Sequence, residues 1–189
     1  THRPLHQEDG NSISTANILC HLSKLTTYTP QQWDNFLGLL RNAAKACREE
    51  CPDARIIVHI DRGGDAETAR RYYERIADID YDIIGLSYYP YWHGTLGQLG
   101  NTLRTLSNTF PKKAIMIVET GFGYNEWSDA SATTAYGNYA STPEGQKQFL
   151  TDLVTTIKQY DNVTGIFYWF PEETLIDWRL SHRIDLNRG

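Results

Sequence analysis

From residue 29 onward, apolar residues at helical spacing alternate with short runs of β-branched and apolar residues. This alternation predicts βαβ units, and therefore a parallel sheet with helices packed against it. Four strands are predicted, at residues 55–60, 82–88, 114–119 and 163–169. The helix starts are indicated by Thr29, Asp65, Thr95 and Thr142, whose side chains are of the types that cap helix N-termini.

The predicted strands carry their polar and aromatic residues at one end only. These residues follow the strands, at 59–62, 87–93, 119–120 and 168–173. Parallel strands joined by right-handed crossovers point the same way, so these residues should lie on one face of the fold. A (β/α)₈ barrel builds its active site in this manner, whereas an open doubly wound sheet gathers its site at one switch point. The pattern therefore predicts an α/β fold of the TIM barrel family.

Four strands make only half of such a barrel. A complete barrel has eight strands and typically about 250 residues, whereas this chain has 189. Residues 1–28 supply at most one degraded strand, so we interpret them as an irregular remnant of the strand-4 region. Residues 29–189 are then the C-terminal half of the barrel, about strands 5–8. Half a barrel exposes two sheet edges and an apolar face, which predicts self-association.

Composition excludes several function classes. The chain has 18 Lys and Arg against 23 Asp and Glu, and its net charge of −5 argues against nucleic acid or an anionic membrane as the partner. No apolar run approaches the roughly 20 residues of a membrane span. The three cysteines lack the spacing of a metal site, and no phosphate-loop, dinucleotide or zinc-protease motif is present. We therefore predict neither a cofactor nor a metal.

Glu119 is the first candidate for chemistry, because it ends an apolar strand on the predicted functional face. Glycoside hydrolysis needs two carboxylates, which retaining enzymes hold about 5–5.5 Å apart. Asp61, Glu172 and Glu173 are the candidate partners, although Asp61 could instead cap a helix and both glutamates could be solvated. The glycines that follow Asp61 predict a tight turn that a ligand can approach. A structural Glu119 paired with an arginine is the alternative interpretation.

Aromatic side chains are concentrated beyond the second predicted strand, in the run 87–94. The run is too aromatic for a simple core segment, and Trp92 and Trp169 are predicted platforms for a sugar ring. About half of the residues in the run are still expected to pack inward, because side chains alternate along a strand. His59 and His93 follow different strands, which indicates a metal only weakly, and imidazoles also hydrogen-bond sugar hydroxyls.

Several segments resemble a known family. The segment 83–95 (IIGLSYYPYWHGT) is similar, nearly letter for letter, to the sixth-strand signature of glycoside hydrolase family 53, the arabinogalactan endo-β-1,4-galactanases. The segments 59–65 (HIDRGGD), 118–120 (VET) and 165–169 (GIFYW) resemble the fifth, seventh and eighth strands of that family. The resemblance covers about residues 29–189.

The resemblance implies a retaining endo-glycosidase that cleaves β-1,4-galactan or type I arabinogalactan by double displacement. Glu119 would be the nucleophile. The cleft would be lined by Asp61, Tyr88, Trp92, His93, Trp169 and Glu172. The resemblance also implies a secreted, periplasmic or cell-surface location.

One departure from the family concerns the proton donor. The family's acid/base is the glutamate of an Asn–Glu pair that ends strand four, whereas Asn11 is followed here by Ser12. A serine cannot protonate a glycosidic oxygen, so little or no hydrolysis is expected of this chain alone. Three readings follow: part of an ordinary galactanase, a pseudoenzyme that binds galactan without cleaving it, or a half-barrel that needs a partner chain.

Overall fold

The computed structural model describes residues 17–20, 28–122, 139–140 and 142–169 of the chain. Its strands are β1 (Asn17–Cys20), β2 (Ile57–Ile60), β3 (Ile83–Tyr88), β4 (Ala114–Thr120) and β5 (Val163–Tyr168). Its helices are α1 (Pro30–Glu50), α2 (Ala66–Arg75), α3 (Pro90–His93), α4 (Leu96–Thr109) and α5 (Pro143–Ile157).

The five strands form one parallel sheet, and they lie side by side in chain order. Helices connect consecutive strands, α2 packs against α4, and α4 packs against α5. This arrangement is part of a (β/α)₈ barrel, as the alternation of helices and strands predicted. Residues 1–28 supply one short strand, the most that the sequence allowed, because β1 pairs in parallel with β2. Four residues are too few for a recognisable sequence period.

The helix starts follow from side-chain caps that the sequence predicts. The Thr29 hydroxyl accepts from the Gln32 amide, and the Gln32 side chain accepts from the Thr29 amide. The same reciprocal pair joins Thr95 and Gln98 at the start of α4. Each cap satisfies an amide that lacks a partner inside the helix, which fixes where the helix begins. Asp65 and Thr142 cap α2 and α5.

The sheet has two different faces. On the helix-facing side, strand residues such as Ile84 and Leu86 join the helix residues Leu103 and Phe149 in one large buried core. On the inner side, the buried apolar residues are Ile57, Ile83 and Met116, with Ala114 and Val118 packed against them. Because side chains alternate along a strand, the next inner positions after Ile57 and Ile83 are residues 59, 85 and 87, which lie nearer to the carboxyl ends of β2 and β3.

Candidate active site

A β-bulge in β4 positions the candidate nucleophile. Leu86 of β3 pairs with Ile117, but Ser87 pairs with Glu119, so β4 contains one extra residue at this point. The pairing of β4 with β5 shifts over the same stretch. Met116 and Val118 belong to the inner side, and strict alternation would turn Glu119 towards the helices. The bulge restores Glu119 to the inner side, as bulges beside active sites commonly do.

Two hydroxyl groups of β3 and its exit hold the Glu119 carboxylate. Ser87 Oγ donates to Glu119 Oε2 at 3.1 Å, and the Tyr89 hydroxyl donates to Glu119 Oε1 at 2.8 Å. Burial raises the pKa of Tyr89, and the neighbouring Glu119 charge raises it further. Tyr89 therefore stays protonated at neutral pH and acts as a donor. Both carboxylate oxygens are oriented, while the side chain stays half-buried rather than sealed.

His59 extends this hydrogen-bond network into the sheet. It lies beside Gly85 in the β2–β3 register, and its Nε2 is 2.5 Å from Ser87 Oγ. A Cβ atom at Gly85 would lie 2.7 Å from Ile57 Cγ2 and 3.2 Å from His59 Cβ. The absence of a side chain at Gly85 therefore gives the imidazole room to reach Ser87. Burial lowers the pKa of His59, against the opposing charges of Glu119 and Asp61.

Tyr88 does not lie where the resemblance implied. It is fully buried on the helix-facing side, where its ring stacks on Phe149 at a centroid distance of 6.5 Å. Its hydroxyl donates to the Gly94 carbonyl. The reason is alternation: Ile84, Leu86 and Tyr88 share the helix-facing side, whereas Ser87 and Tyr89 belong to the inner side. The structure thus places Tyr89, and not Tyr88, against Glu119.

Residues 90–93 of the aromatic run form the short helix α3. The Tyr89 amide donates to His93 Nδ1 at 3.0 Å, which fixes the imidazole beside the strand end. Burial lowers the pKa of His93, and Asp61 and Glu119 oppose that shift. The Trp92 side chain is 71% exposed, and its ring packs edge-on against Tyr89 at 5.1 Å. An exposed indole beside the donor to Glu119 is available for stacking on a ligand.

Asp61 lies at the mouth of an open groove of about 970 Å³. Its Oδ1 is buried and has no hydrogen-bond partner among the described residues, although Arg62 Nε lies 3.8 Å away. Trp92, His93 and Gln98 also line the groove. The groove places Asp61, Trp92 and His93 together at the carboxyl ends of β2 and β3.

The glycines after Asp61 form the predicted tight turn, which the Asp65 amide closes by donating to the Arg62 carbonyl at 3.2 Å. A Cβ atom at Gly63 would lie 2.5 Å from the Ser87 carbonyl, and one at Gly64 would overlap the His93 carbonyl. The Gly63 amide donates to the Ser87 carbonyl at 3.1 Å. These glycines therefore let the β2 exit pack against the backbone of β3 and α3, and Gly64 also lines the groove described above.

Of the remaining predicted site residues, the structure describes only Trp169. Trp169 follows β5, its amide donates to the Thr120 carbonyl, and its side chain is 60% exposed. Asn11, Ser12, Glu172 and Glu173 lie outside the described residues. Within the described part of the chain, no group of three His, Cys, Asp or Glu side chains is placed to hold a metal. None of the described helices is long and apolar enough to span a bilayer.

Sequence reasoning missed Ser87 and Tyr89 as hydrogen-bond donors to Glu119, and considered His59 as a weak metal candidate or a partner of sugar hydroxyls. The signal was present in the period of β3. Large apolar residues occupy positions 84, 86 and 88, while glycine, serine and tyrosine occupy 85, 87 and 89. The second set marks the less apolar face of the strand.

Comparison with known proteins identifies the family of the chain. The sequence profile described as glycosyl hydrolase family 53 matches residues 10–183. The chain belongs to glycosyl hydrolase family 53. Within this family, it is similar to the solved GH53 catalytic domain of Ignisphaera aggregans, with 29% identity and a TM-score of 0.68. That match covers 74% of this chain and 41% of the other.

Two curated proteins illustrate the similarity in sequence. An endo-β-1,4-galactanase of Bacillus subtilis is 32% identical over 74% of this family 53 chain and 34% of its own length. An uncharacterised protein encoded in the bgaB 5′ region of Niallia circulans is 33% identical over 82% of this chain and 45% of its own length. The chain thus spans less than half the length of these relatives.

Proposed function

We propose that this chain carries the nucleophile of a retaining endo-β-1,4-galactanase. The observation that carries the proposal is the Glu119 carboxylate, turned to the inner side by a bulge and held by Ser87 and Tyr89. Relatives named as endo-β-1,4-galactanases support β-1,4-galactan or arabinogalactan as the substrate class.

The proposed reaction is a double displacement. A Glu119 oxygen attacks the anomeric carbon of a galactosyl unit, the glycosidic C–O bond breaks, and its electron pair leaves with the departing oxygen. Water then hydrolyses the galactosyl ester. Asp61, Trp92, His93 and Trp169 are the proposed sugar contacts, together with Glu172.

The first step on galactan also needs a proton for the leaving oxygen. Ser12, which follows Asn11 in the corresponding segment, cannot supply that proton. We therefore propose that this chain alone binds galactan but does not cleave it at a measurable rate. The sheet has five strands among the described residues, whereas a (β/α)₈ barrel has eight, so the remaining strands are needed to complete the cleft. Residues 29–189 form the proposed barrel unit. The proposed location is secreted, periplasmic or at the cell surface.

A mechanism-based label tests the nucleophile without needing a proton donor. In 2,4-dinitrophenyl 2-deoxy-2-fluoro-β-galactoside the phenolate leaves as an anion, and the fluorine slows hydrolysis of the ester. We expect intact-mass analysis to show one added fluorogalactosyl group, and peptide mapping to place it on Glu119. The E119Q variant should not be labelled. Labelling of another residue, or equal labelling of E119Q, would refute the nucleophile assignment.

A binding titration tests the galactan proposal separately. Addition of β-1,4-galactooligosaccharides should change the tryptophan fluorescence, and W92A should bind more weakly. The matched control is Trp33, which packs against Tyr28 and Phe36 and is not among the residues that line the groove, so W33F should leave the affinity unchanged. The absence of binding, together with the absence of labelling, would reject a glycosidase function for this chain.

A further inference from the structure

Proton counting along the Glu119 network fixes the state of a buried histidine. His59 is 1% exposed, and its Nε2 lies 2.5 Å from Ser87 Oγ. Ser87 Oγ in turn lies 3.1 Å from Glu119 Oε2. A serine hydroxyl has a single proton to donate. If it gives that proton to the carboxylate, its oxygen must accept from His59, so Nε2 carries a hydrogen.

The other imidazole nitrogen agrees with this assignment. His59 Nδ1 is buried and has no hydrogen-bond partner among the described residues. Burying an unprotonated ring nitrogen without a partner costs less free energy than burying an N–H group without an acceptor. The opposite tautomer would make Nε2 an acceptor for Ser87, and Glu119 would then lose one of its two donors.

We propose that His59 is a positioning residue for Glu119: as a neutral imidazole protonated on Nε2, it directs the Ser87 hydroxyl proton onto the Glu119 carboxylate. Its importance for catalysis rests on the proposed nucleophile role of Glu119, but the proton arrangement exists in the free protein. His59 acts through Ser87, and no contact with substrate is required.

The surroundings of His59 explain why the ring stays neutral. Asp61 follows on from β2, and Glu119 faces the ring from β4; both negative charges favour the imidazolium. Burial opposes them and is the larger effect, so the pKa of His59 lies below its ordinary value of 6.5. Gly85 and Ser87 face the ring from β3 and carry no charge.

Nitrogen NMR of the 189-residue chain, labelled in its imidazole rings and free of ligand, tests the proposal near pH 7.5. We expect the His59 signals to show a protonated Nε2 and a bare Nδ1, and H59Q identifies these signals by removing them. In S87A the imidazole loses its acceptor. In E119Q the Gln side-chain amide can donate to Ser87 Oγ, so that the Ser87 hydroxyl donates to His59 Nε2 instead. Both variants should shift the His59 signals towards the Nδ1–H form.

A matched control is S107A, which removes a serine hydroxyl that donates to Asn162 Oδ1 outside this network. It should leave the His59 signals unchanged. A wild-type His59 that is protonated on Nδ1, or charged, would overturn the proposal. His59 nitrogen shifts that are the same in wild type, S87A and E119Q would also overturn it. These outcomes are independent of whether Glu119 reacts with a sugar.

The labelling rate of Glu119 provides a second readout. H59L removes the N–H donor at similar volume, whereas H59Q restores an N–H close to the position of Nε2. We expect labelling to slow roughly 2- to 10-fold in H59L, the range for a lost hydrogen bond between neutral groups, and to recover substantially in H59Q. Equal slowing in both variants would indicate a packing role only, and would contradict the proposal.

Discussion

The two ends of the strands use polar residues in opposite ways. At the amino ends, Arg48 of α1 donates to Asp80, Asp82 and the Ala54 carbonyl, and Asp82 also accepts from the Ile56 amide at 2.6 Å. These bonds tie a helix to the starts of β2 and β3. At the carboxyl ends, the buried atoms His59 Nδ1 and Asp61 Oδ1 lack hydrogen-bond partners among the described residues, and the nearest cation to Asp61 Oδ1 is Arg62 Nε at 3.8 Å.

This difference separates stability from function within one sheet. Polar groups that are fully paired contribute to the free energy of unfolding, whereas unpaired polar groups at a cleft are available to a ligand. Lys113 illustrates the first case, because its ammonium bonds the Tyr81 carbonyl and lies over the Tyr81 ring. Trp92 is the apolar counterpart of the second case, because its exposed ring lines the groove and is available to a ligand. The following substitutions test the contrast.

The largest effect is expected at the amino ends, from D82A. This change leaves the buried Ile56 amide without its acceptor and removes one partner of Arg48. We expect the free energy of unfolding to fall by about 2–4 kcal/mol, measured by urea denaturation. D80A is the matched control, since the Asp80 side chain is 69% exposed and its ion pair with Arg48 should contribute at most about 1 kcal/mol. Equal losses in both variants would contradict the role given to Asp82.

G85A should destabilise the chain by about 1–3 kcal/mol, because the added methyl group overpacks the inner side against Ile57 and His59. It should also displace His59 from Ser87, which the imidazole NMR signals would report. G38A is the control, since no atom lies within 4 Å of a Cβ at Gly38 and the site is helical. A stable G85A with unchanged His59 signals would show that the glycine is not needed for the contact.

At the carboxyl ends, removing a charge should increase the free energy of unfolding instead of lowering it. D61N removes a charge whose Oδ1 is buried without a hydrogen-bond partner among the described residues, so we expect the chain to become more stable by up to about 1 kcal/mol. Galactooligosaccharide binding should weaken in the same variant. Thermal unfolding and the fluorescence titration measure the two effects, and a D61N protein that is less stable would place Asp61 among the structural residues.

The smallest expected effect is a dependence of stability on pH. The pKa values of His59 and His93 lie below 6.5 in the folded chain, mainly because of burial. The unfolded chain therefore takes up more protons as the pH falls below about 6.5, and stability should decrease in that range. Urea midpoints between pH 7.5 and 5.5 should show this decrease, and the double variant H59Q/H93Q should flatten it. An unchanged slope in the double variant would assign the effect to other groups.

The prediction of elements from the sequence was close because local signals fix them. Thr29, Asp65, Thr95 and Thr142 cap the helices as predicted, and four strands lie within two residues of the expected starts. Strand β1 was left as a possible degraded strand, since its assignment depends on pairing with β2 and not on local periodicity.

The site was predicted less completely. Glu119, Asp61, Trp92 and His93 were chosen because they follow strands, and the structure brings them to the same end of the sheet. Tyr88, which the resemblance placed in the cleft, is buried on the helix-facing side, because the face of a residue depends on where alternation begins along the strand. Alternation counted along β4 would have turned Glu119 towards the helices.

By itself, the sequence determined the alternating fold, the helix caps, the acidic balance and the carboxylate at the end of the third predicted strand. Only the tertiary structure decided that Glu119 faces inward and that Ser87, Tyr89 and His59 hold it. The physical reason is that capping and apolar period act between neighbours in the chain. A bulge, by contrast, exists only relative to a paired strand. The network of His59, Ser87 and Glu119 forms only because β2, β3 and β4 lie side by side in the sheet.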